Sequence, residues 1–199
     1  AFETDEGTWL SVDVSPDGQH LVFDLLGDLY GLDVHGGPAS RLTQGIAFDS
    51  QPAWSPAGED IAYLSDRSGA ENVWVMRVDG SGAHQVTSND GSNEYISPAW
   101  SRDGRSLYVS LYRAERNGIE LWRYELTTGR GENLSTQGVN ALGAAPSPDG
   151  RFVYYAMRRG PAFEDDVRLP LWSIVRRELS TGRTETIVNN VGSAMRPVL

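Results

Sequence analysis

The chain has 199 residues, a formal net charge of −10 and no cysteine. A hydrophobic share of 39%, with 22% charged and 10% aromatic residues, excludes a disordered chain, and no apolar run approaches the ~20 residues of a membrane-crossing helix. Without cysteine there is no disulfide framework, thiolate metal site or thiol nucleophile, and a sequence pI of 4.7 argues against a nucleic-acid partner. The basic residues are all arginine and are scattered rather than clustered. No stretch shows the basic-then-apolar pattern of a secretion signal.

In chain order the expected elements are short strands joined by tight turns. Val12-Asp13-Val14 leads into the turn Ser15-Pro16-Asp17-Gly18, then Leu21-Val22-Phe23, Asp28-Leu29-Tyr30, the turn Gly36-Gly37, and Arg41-Leu42-Thr43. The same series returns as Pro52-Ala53-Trp54, Ser55-Pro56-Ala57-Gly58, Ile61-Ala62-Tyr63, Val73-Trp74-Val75-Met76, Asp79-Gly80-Ser81-Gly82 and Gln85-Val86-Thr87. A third pass reads Pro98-Ala99-Trp100, Ser101-Arg102-Asp103-Gly104, Leu107-Tyr108-Val109, Leu121-Trp122-Arg123-Tyr124, Thr128-Gly129 and Asn133-Leu134-Ser135. A fourth reads Ala144-Ala145-Pro146, Ser147-Pro148-Asp149-Gly150, Val153-Tyr154-Tyr155, Leu171-Trp172-Ser173-Ile174, Thr181-Gly182 and Thr186-Ile187-Val188. In the Ser-Pro-Asp-Gly form of this turn Pro presets φ, Asp accepts local hydrogen bonds and Gly takes positive φ; the second copy has Ala57 in place of the Asp and the third Arg102 in place of the Pro.

The turn serines stand 40, 46 and 46 residues apart. Four strands per unit of ~40–45 residues describe a β-propeller blade, so the chain is expected to be all-β, with four-stranded antiparallel blades. Blade 1 spans about residues 7–48, blade 2 about 49–93, blade 3 about 94–140 and blade 4 about 141–191, with the first strand of a fifth at 192–199. Pro197-Val198-Leu199 matches Pro52-Ala53-Trp54, so the chain is expected to be part of a larger six- or seven-bladed ring. Trp54, Trp74, Trp100, Trp122 and Trp172 are assigned to packing between blades.

Antiparallel order puts the connections between the first and second strands (A–B) and the third and fourth (C–D) on one face. The B–C connections and the links between blades (D–A) share the other. The B–C connections differ most: Leu25-Leu26-Gly27, then residues 65–70, then 112–118, then 158–170. Varied loops on a rigid scaffold carry recognition, so this second face is the expected docking face, with Asp66, Arg67, Arg158, Arg159, Glu164, Asp165 and Asp166 as candidate contacts. Glu164-Asp165-Asp166 offers carboxylate oxygens for a hard cation, but a solvated acidic loop tip is the plainer reading, and none of these is assigned as a metal ligand. Asp66 capping its turn and Arg67 packing across a blade edge is likewise the plainer reading of that pair. Adjacent Arg158 and Arg159 would point to opposite faces of a strand.

No catalytic or cofactor-binding residue is assigned. Gly-x-Ser-x-Gly is absent, no phosphate loop is possible without lysine, and His20, His35 and His84 are unpaired.

The repeated turns, the PAWSPxG strands and SDRSGAENVWVMRVDGSGAHQVT resemble the TolB-like propeller repeat over essentially the whole chain. More narrowly, EGTWLSVDVSPDG, LVFDLLGDLYGL and RLTQGIAFDSQPAWSP resemble the amino-terminal propeller of bacterial metal-dependent amidohydrolases. That resemblance implies a non-catalytic segment that scaffolds or gates a hydrolase domain elsewhere in the chain, with a divalent metal in that domain and no cofactor here. Two other readings stay open: a protein-interaction propeller of the TolB type in the cell envelope, and the propeller of a prolyl-oligopeptidase-like serine peptidase. The expected partners are the rest of its own chain and another protein, without nucleic acid or a membrane span. The expected location is periplasmic or secreted.

Overall fold

A computed structural model describes residues 4, 6–8, 10–135, 139–159, 172–189 and 197. Among these, every element is a strand except one 3₁₀ turn, Ala114–Arg116. Blade 1 comprises β1 (Val12–Val14), β2 (His20–Leu25), β3 (Asp28–Asp33) and β4 (Ser40–Arg41). Blade 2 comprises β5 (Asp49–Trp54), β6 (Asp60–Ser65), β7 (Asn72–Arg77) and β8 (His84–Gln85). Blade 3 comprises β9 (Asn93–Trp100), β10 (Ser106–Arg113), β11 (Gly118–Glu125) and β12 (Gly131–Asn133). Blade 4 comprises β13 (Val139–Pro146), β14 (Phe152–Arg159), β15 (Ser173–Glu178) and β16 (Thr184–Val188). Each group forms its own four-stranded antiparallel sheet in chain order. The strand expected at 192–199 lies outside the described residues, Pro197 apart.

The sheets pack face to face because both faces of the middle strands are apolar. Along β6, Ile61 and Tyr63 join Val22 and Leu29 of blade 1, while Ala62 and Leu64 join Tyr95, Leu107 and Val109 of blade 3. Tyr108 and Leu121 then meet Ala141, Val153 and Tyr155 of blade 4. The two-residue side-chain period thus makes each blade a filling between its neighbours.

The tryptophans follow this packing, with one displacement. Trp74 pairs with Tyr63 and Trp122 with Val109, each eight residues after its turn serine. In blade 4 that site, opposite Tyr155, holds Val175. Trp172 lies before β15, buried with Ile119, Ala156 and Ile174, so it joins the interface between blades 3 and 4 from a different position. The blade 3 loop is also shorter than expected, since β10 continues to Arg113 and β11 resumes at Gly118, and Arg158 and Arg159 belong to the end of β14.

The fourth strands of blades 1, 2 and 3 are very short and are held by hydroxyls. Thr43 Oγ1 accepts the N–H of Leu29, and Thr87 Oγ1 that of Val73, each at 2.9 Å. Ser135 Oγ does the same for Leu121.

The A–B turns are closed by a repeated hydrogen-bond set. Ser15, Ser101 and Ser147 donate to Asp17, Asp103 and Asp149 at 2.6, 2.6 and 2.5 Å. Each Asp also accepts the N–H two residues on. The serine hydroxyl first, and that N–H second, hold these three carboxyls below the ordinary value of 3.8. A depressed folded value means the turns help stability above the unfolded value and lose that help as pH falls through the folded one. Blade 2 has Ala57 at this position, and there Ser55 accepts only from Glu59 and Asp60. Ala57→Asp is therefore expected to raise the thermal midpoint at pH 7, with the gain vanishing at pH 2. An unchanged midpoint at pH 7, or a gain that persists at pH 2, would contradict this account of the turn.

Candidate functional site

The first strands β1, β5, β9 and β13 of successive blades lie against one another, and three of them carry a bulge at one repeat position. Gln51, Ser97 and Gly143 have φ of 51°, 53° and 66°, in the left-handed region. The pairing of each strand with its neighbour shifts there. The bulge turns one backbone N–H toward the preceding blade. Asp24 accepts Gln51 N–H at 2.8 Å and Ser11 N–H at 2.9 Å. Ser110 Oγ accepts Gly143 N–H at 3.0 Å. The equivalent residue of blade 2 is Leu64, which has no acceptor, and the Gln51 side chain supplies one instead, taking Ser97 N–H at 2.7 Å. Asp13 adds a tie between first strands, accepting Trp54 N–H at 2.7 Å.

Below the bulges, Val14, Pro52, Trp54, Pro98, Trp100 and Pro146 line an open groove of about 470 Å³. Proline has no N–H to offer, so these strand edges are blunted against pairing with another strand.

On the opposite face, the B–C connection of blade 2 is the most fully described. Asp66 Oδ1 accepts Phe48 N–H at 2.8 Å, fixing the loop that enters blade 2. Arg67 Nη2 reaches the two oxygens of buried Asp49 at 2.9 and 2.7 Å, and its Nε donates to Ser65 Oγ at 2.9 Å. Its guanidinium lies 5.3 Å from the Tyr63 ring centre and 5.2 Å from that of Trp74. Burial beneath this group pushes the Tyr63 phenol up to about 12. Asp66 and Arg67 therefore hold the scaffold of this face. Blade 3 repeats the device: Arg113 bonds Glu120 at 2.8 Å and stacks 5.6 Å from Trp122. Burial opposes the ionised form of Glu120, but the hydrogen bonds from Arg113 and Trp122 outweigh it and hold the carboxyl below its ordinary value.

Arg158 and Arg159 pair with Asn140 and Val139 in the sheet of blade 4 rather than standing in a loop. Glu164, Asp165 and Asp166 lie outside the described residues. Among the described residues no group of three or more His, Asp and Glu is placed to hold a metal ion.

Glu71 was not singled out by its sequence position. It ends the B–C loop of blade 2, and its Oε1 accepts Tyr95 N–H of blade 3 at 2.9 Å. Burial, with the carboxylates of Glu94 and Asp66 nearby, pushes its carboxyl above the ordinary value, although the Tyr95 hydrogen bond works the other way. Asn89 completes the junction, donating to the carbonyls of Glu71 and Asn93 at 3.0 and 2.6 Å.

The comparisons with known proteins agree with this architecture. The model of the TolB beta propeller domain matches residues 4–167. The chain belongs to the TolB β-propeller family. The Tol-Pal system protein TolB of Desulfosudis oleivorans is 34% identical over 122 residues, covering 59% of this chain and 26% of that protein. Among solved structures, TolB from Acinetobacter baumannii superposes with a TM-score of 0.72 at 16% identity, over 91% of this chain and 44% of that one. A Mycobacterium tuberculosis puromycin-hydrolyzing peptidase superposes at 0.65 with 17% identity, over 92% of this chain and 29% of that one. At these identities the structural matches establish the fold alone. The chain spans less than half the length of each of these relatives, and the amidohydrolase attachment expected from the sequence draws no support from them.

The raised Glu71 carboxyl has a definite sign. A carboxyl whose folded value exceeds its unfolded value costs stability once ionised, and the cost is relieved as pH falls through the raised value. Glu71→Gln keeps an oxygen for Tyr95 N–H and removes the charge. We expect it to be more stable than the parent at pH 7 and equal to it at pH 3, as read by urea denaturation. A less stable variant at pH 7 would show that the negative charge itself holds the junction.

Proposed function

We propose that this chain is the non-catalytic, protein-binding part of a larger envelope protein, a TolB-type propeller that docks another protein on its B–C and D–A face. One observation carries the reading. The A–B turns are near copies that satisfy their own polar groups, whereas the described connections of the other face, those of blades 1 to 3, all differ: a two-residue turn at 26–27, a loop at 66–71 and a 3₁₀ turn at Ala114–Arg116. Variation confined to one face of a repeated scaffold marks the face that recognises something. The TolB relatives support both the interaction role and the envelope location.

A second reading is favoured by the match to peptidase propellers. There the same face would be covered by a catalytic domain of the same chain, and the channel would filter what reaches it. The two readings separate in a photo-crosslinking experiment on the full-length protein in its own host, with benzoylphenylalanine at Ser68 or Glu115 on the varied face and at Ser81 or Thr128 on the other. Adducts to one other protein from Ser68 and Glu115 alone are the expected result. Adducts within the chain favour the peptidase arrangement, and adducts from Ser81 and Thr128 alone overturn the assignment of the face.

A further inference from the structure

Blade 1 turns from β2 to β3 through Leu26 and Gly27, both at positive φ, 54° and 84°. Two positive-φ residues in a two-residue hairpin are the mark of a type I′ turn, whose first position is filled by Asn, Asp or Gly. Leucine pays strain there, and it gains no burial, since Leu26 is 78% exposed. The loop entering blade 2 lies against it. Asp49 N–H donates to Gly27 O at 2.8 Å, and the Phe48 ring stands 3.0 Å from where a Gly27 side chain would begin. Phe48 is 60% exposed and Ile46 fully so. Three large apolar side chains thus stand in water on the face of the varied connections, one of them at a conformational cost.

The surroundings of this cluster are acidic. The Asp66 carboxylate is bonded to the backbone of Phe48 itself. Glu71 and Glu94 follow toward blade 3, and after burial the Glu94 and Asp66 carboxylates are what raise the Glu71 carboxyl, which places the three acids near one another. Among the described residues, two cations on this side are already engaged: Arg67 by Asp49, and Arg41 by Asp28 at 2.5 Å. The whole chain carries −10. Apolar anchors beside the Asp66 and Glu94 carboxylates, neither of which forms an ion pair among the described residues, fit a segment with the reverse pattern.

We propose that Leu26, Ile46 and Phe48 form the anchor point for an extended segment of a partner protein, one that presents adjacent apolar side chains followed by Arg or Lys. The proposal rests on the docking face argued above and names the chemistry that the face selects. The cluster is one turn and one loop wide, which suits two or three side chains of an extended segment rather than a broad domain surface.

The test uses the full-length protein and two labelled peptides, Gly-Leu-Phe-Gly-Arg-Arg-Lys-Gly and the same peptide with Glu in place of the three basic residues. The double variant Leu26→Asn/Ile46→Ser removes two anchors, and asparagine suits the turn, so the fold is retained and its thermal midpoint is not lowered. Fluorescence anisotropy should show the basic peptide binding the parent, weakening at least about tenfold in the double variant and with added salt, and the acidic peptide failing to bind. Equal binding by parent and double variant overturns the anchor. If that binding is nevertheless lost in Ser68→Trp, the docking face stands and only the anchor fails; if it survives both changes, both readings fail. Hydroxyl-radical labelling closes the remaining route: Leu26, Ile46 and Phe48 should be labelled in the full-length protein alone, and protection there means that the chain covers its own cluster, which overturns the proposal.

Discussion

The structure depends on how one sheet is held to the next when no backbone ladder joins them. Apolar packing supplies the attraction, but packing alone allows neighbouring sheets to slide. The direction and register come from single backbone N–H groups turned outward at the bulges of Gln51, Ser97 and Gly143, each captured by a side chain of the preceding blade. A buried N–H without an acceptor costs about 1–3 kcal/mol, so each capture is an obligation on the neighbouring blade rather than an ornament. The identity of the captor is free as long as an oxygen arrives: a carboxylate from Asp24, an amide from Gln51, a hydroxyl from Ser110.

That arrangement separates the two faces. On the A–B side the serine–aspartate turns are self-contained and repeat almost unchanged. On the other side the connections of blades 2 and 3 begin beside an ion pair, Arg67–Asp49 and Arg113–Glu120, so the base is held while the tip is free to vary. The scaffold thereby allows Leu26, Ile46 and Phe48 to remain exposed without disturbing the core beneath them, where Leu29 and Tyr63 are fully buried.

Much of the fold is legible in the sequence because its signals are local. Ser15-Pro16-Asp17-Gly18 and its three echoes define the turns, and the alternation in Ile61-Ala62-Tyr63-Leu64 identifies a strand buried on both faces. The bulges are not legible in the sequence: Gln51, Ser97 and Gly143 each stand four residues before a turn serine, but nothing in the residue types announces them, since a glutamine and a serine at positive φ look ordinary until the paired strand is seen. Trp172 packs between blades as its chemistry suggests, but its position is not the one the repeat suggests, because the pairing register gives the place of Trp74 and Trp122 to Val175. Glu71 was hidden because its partner, Tyr95 N–H, belongs to the next repeat. Arg67 could be read as a packing residue from its setting, but only the structure shows that Tyr63, Trp74 and Asp49 all engage it.

The central claim is that the blades are locked to each other through those bulge amides. Native-state hydrogen exchange on the full-length protein reads it directly. The amides of Gln51, Ser97 and Gly143 should exchange only with global opening, as slowly as those at the centre of β6 and β10. Exchange as fast as at the exposed turn residue Gly37, while β6 and β10 stay protected, would contradict the claim.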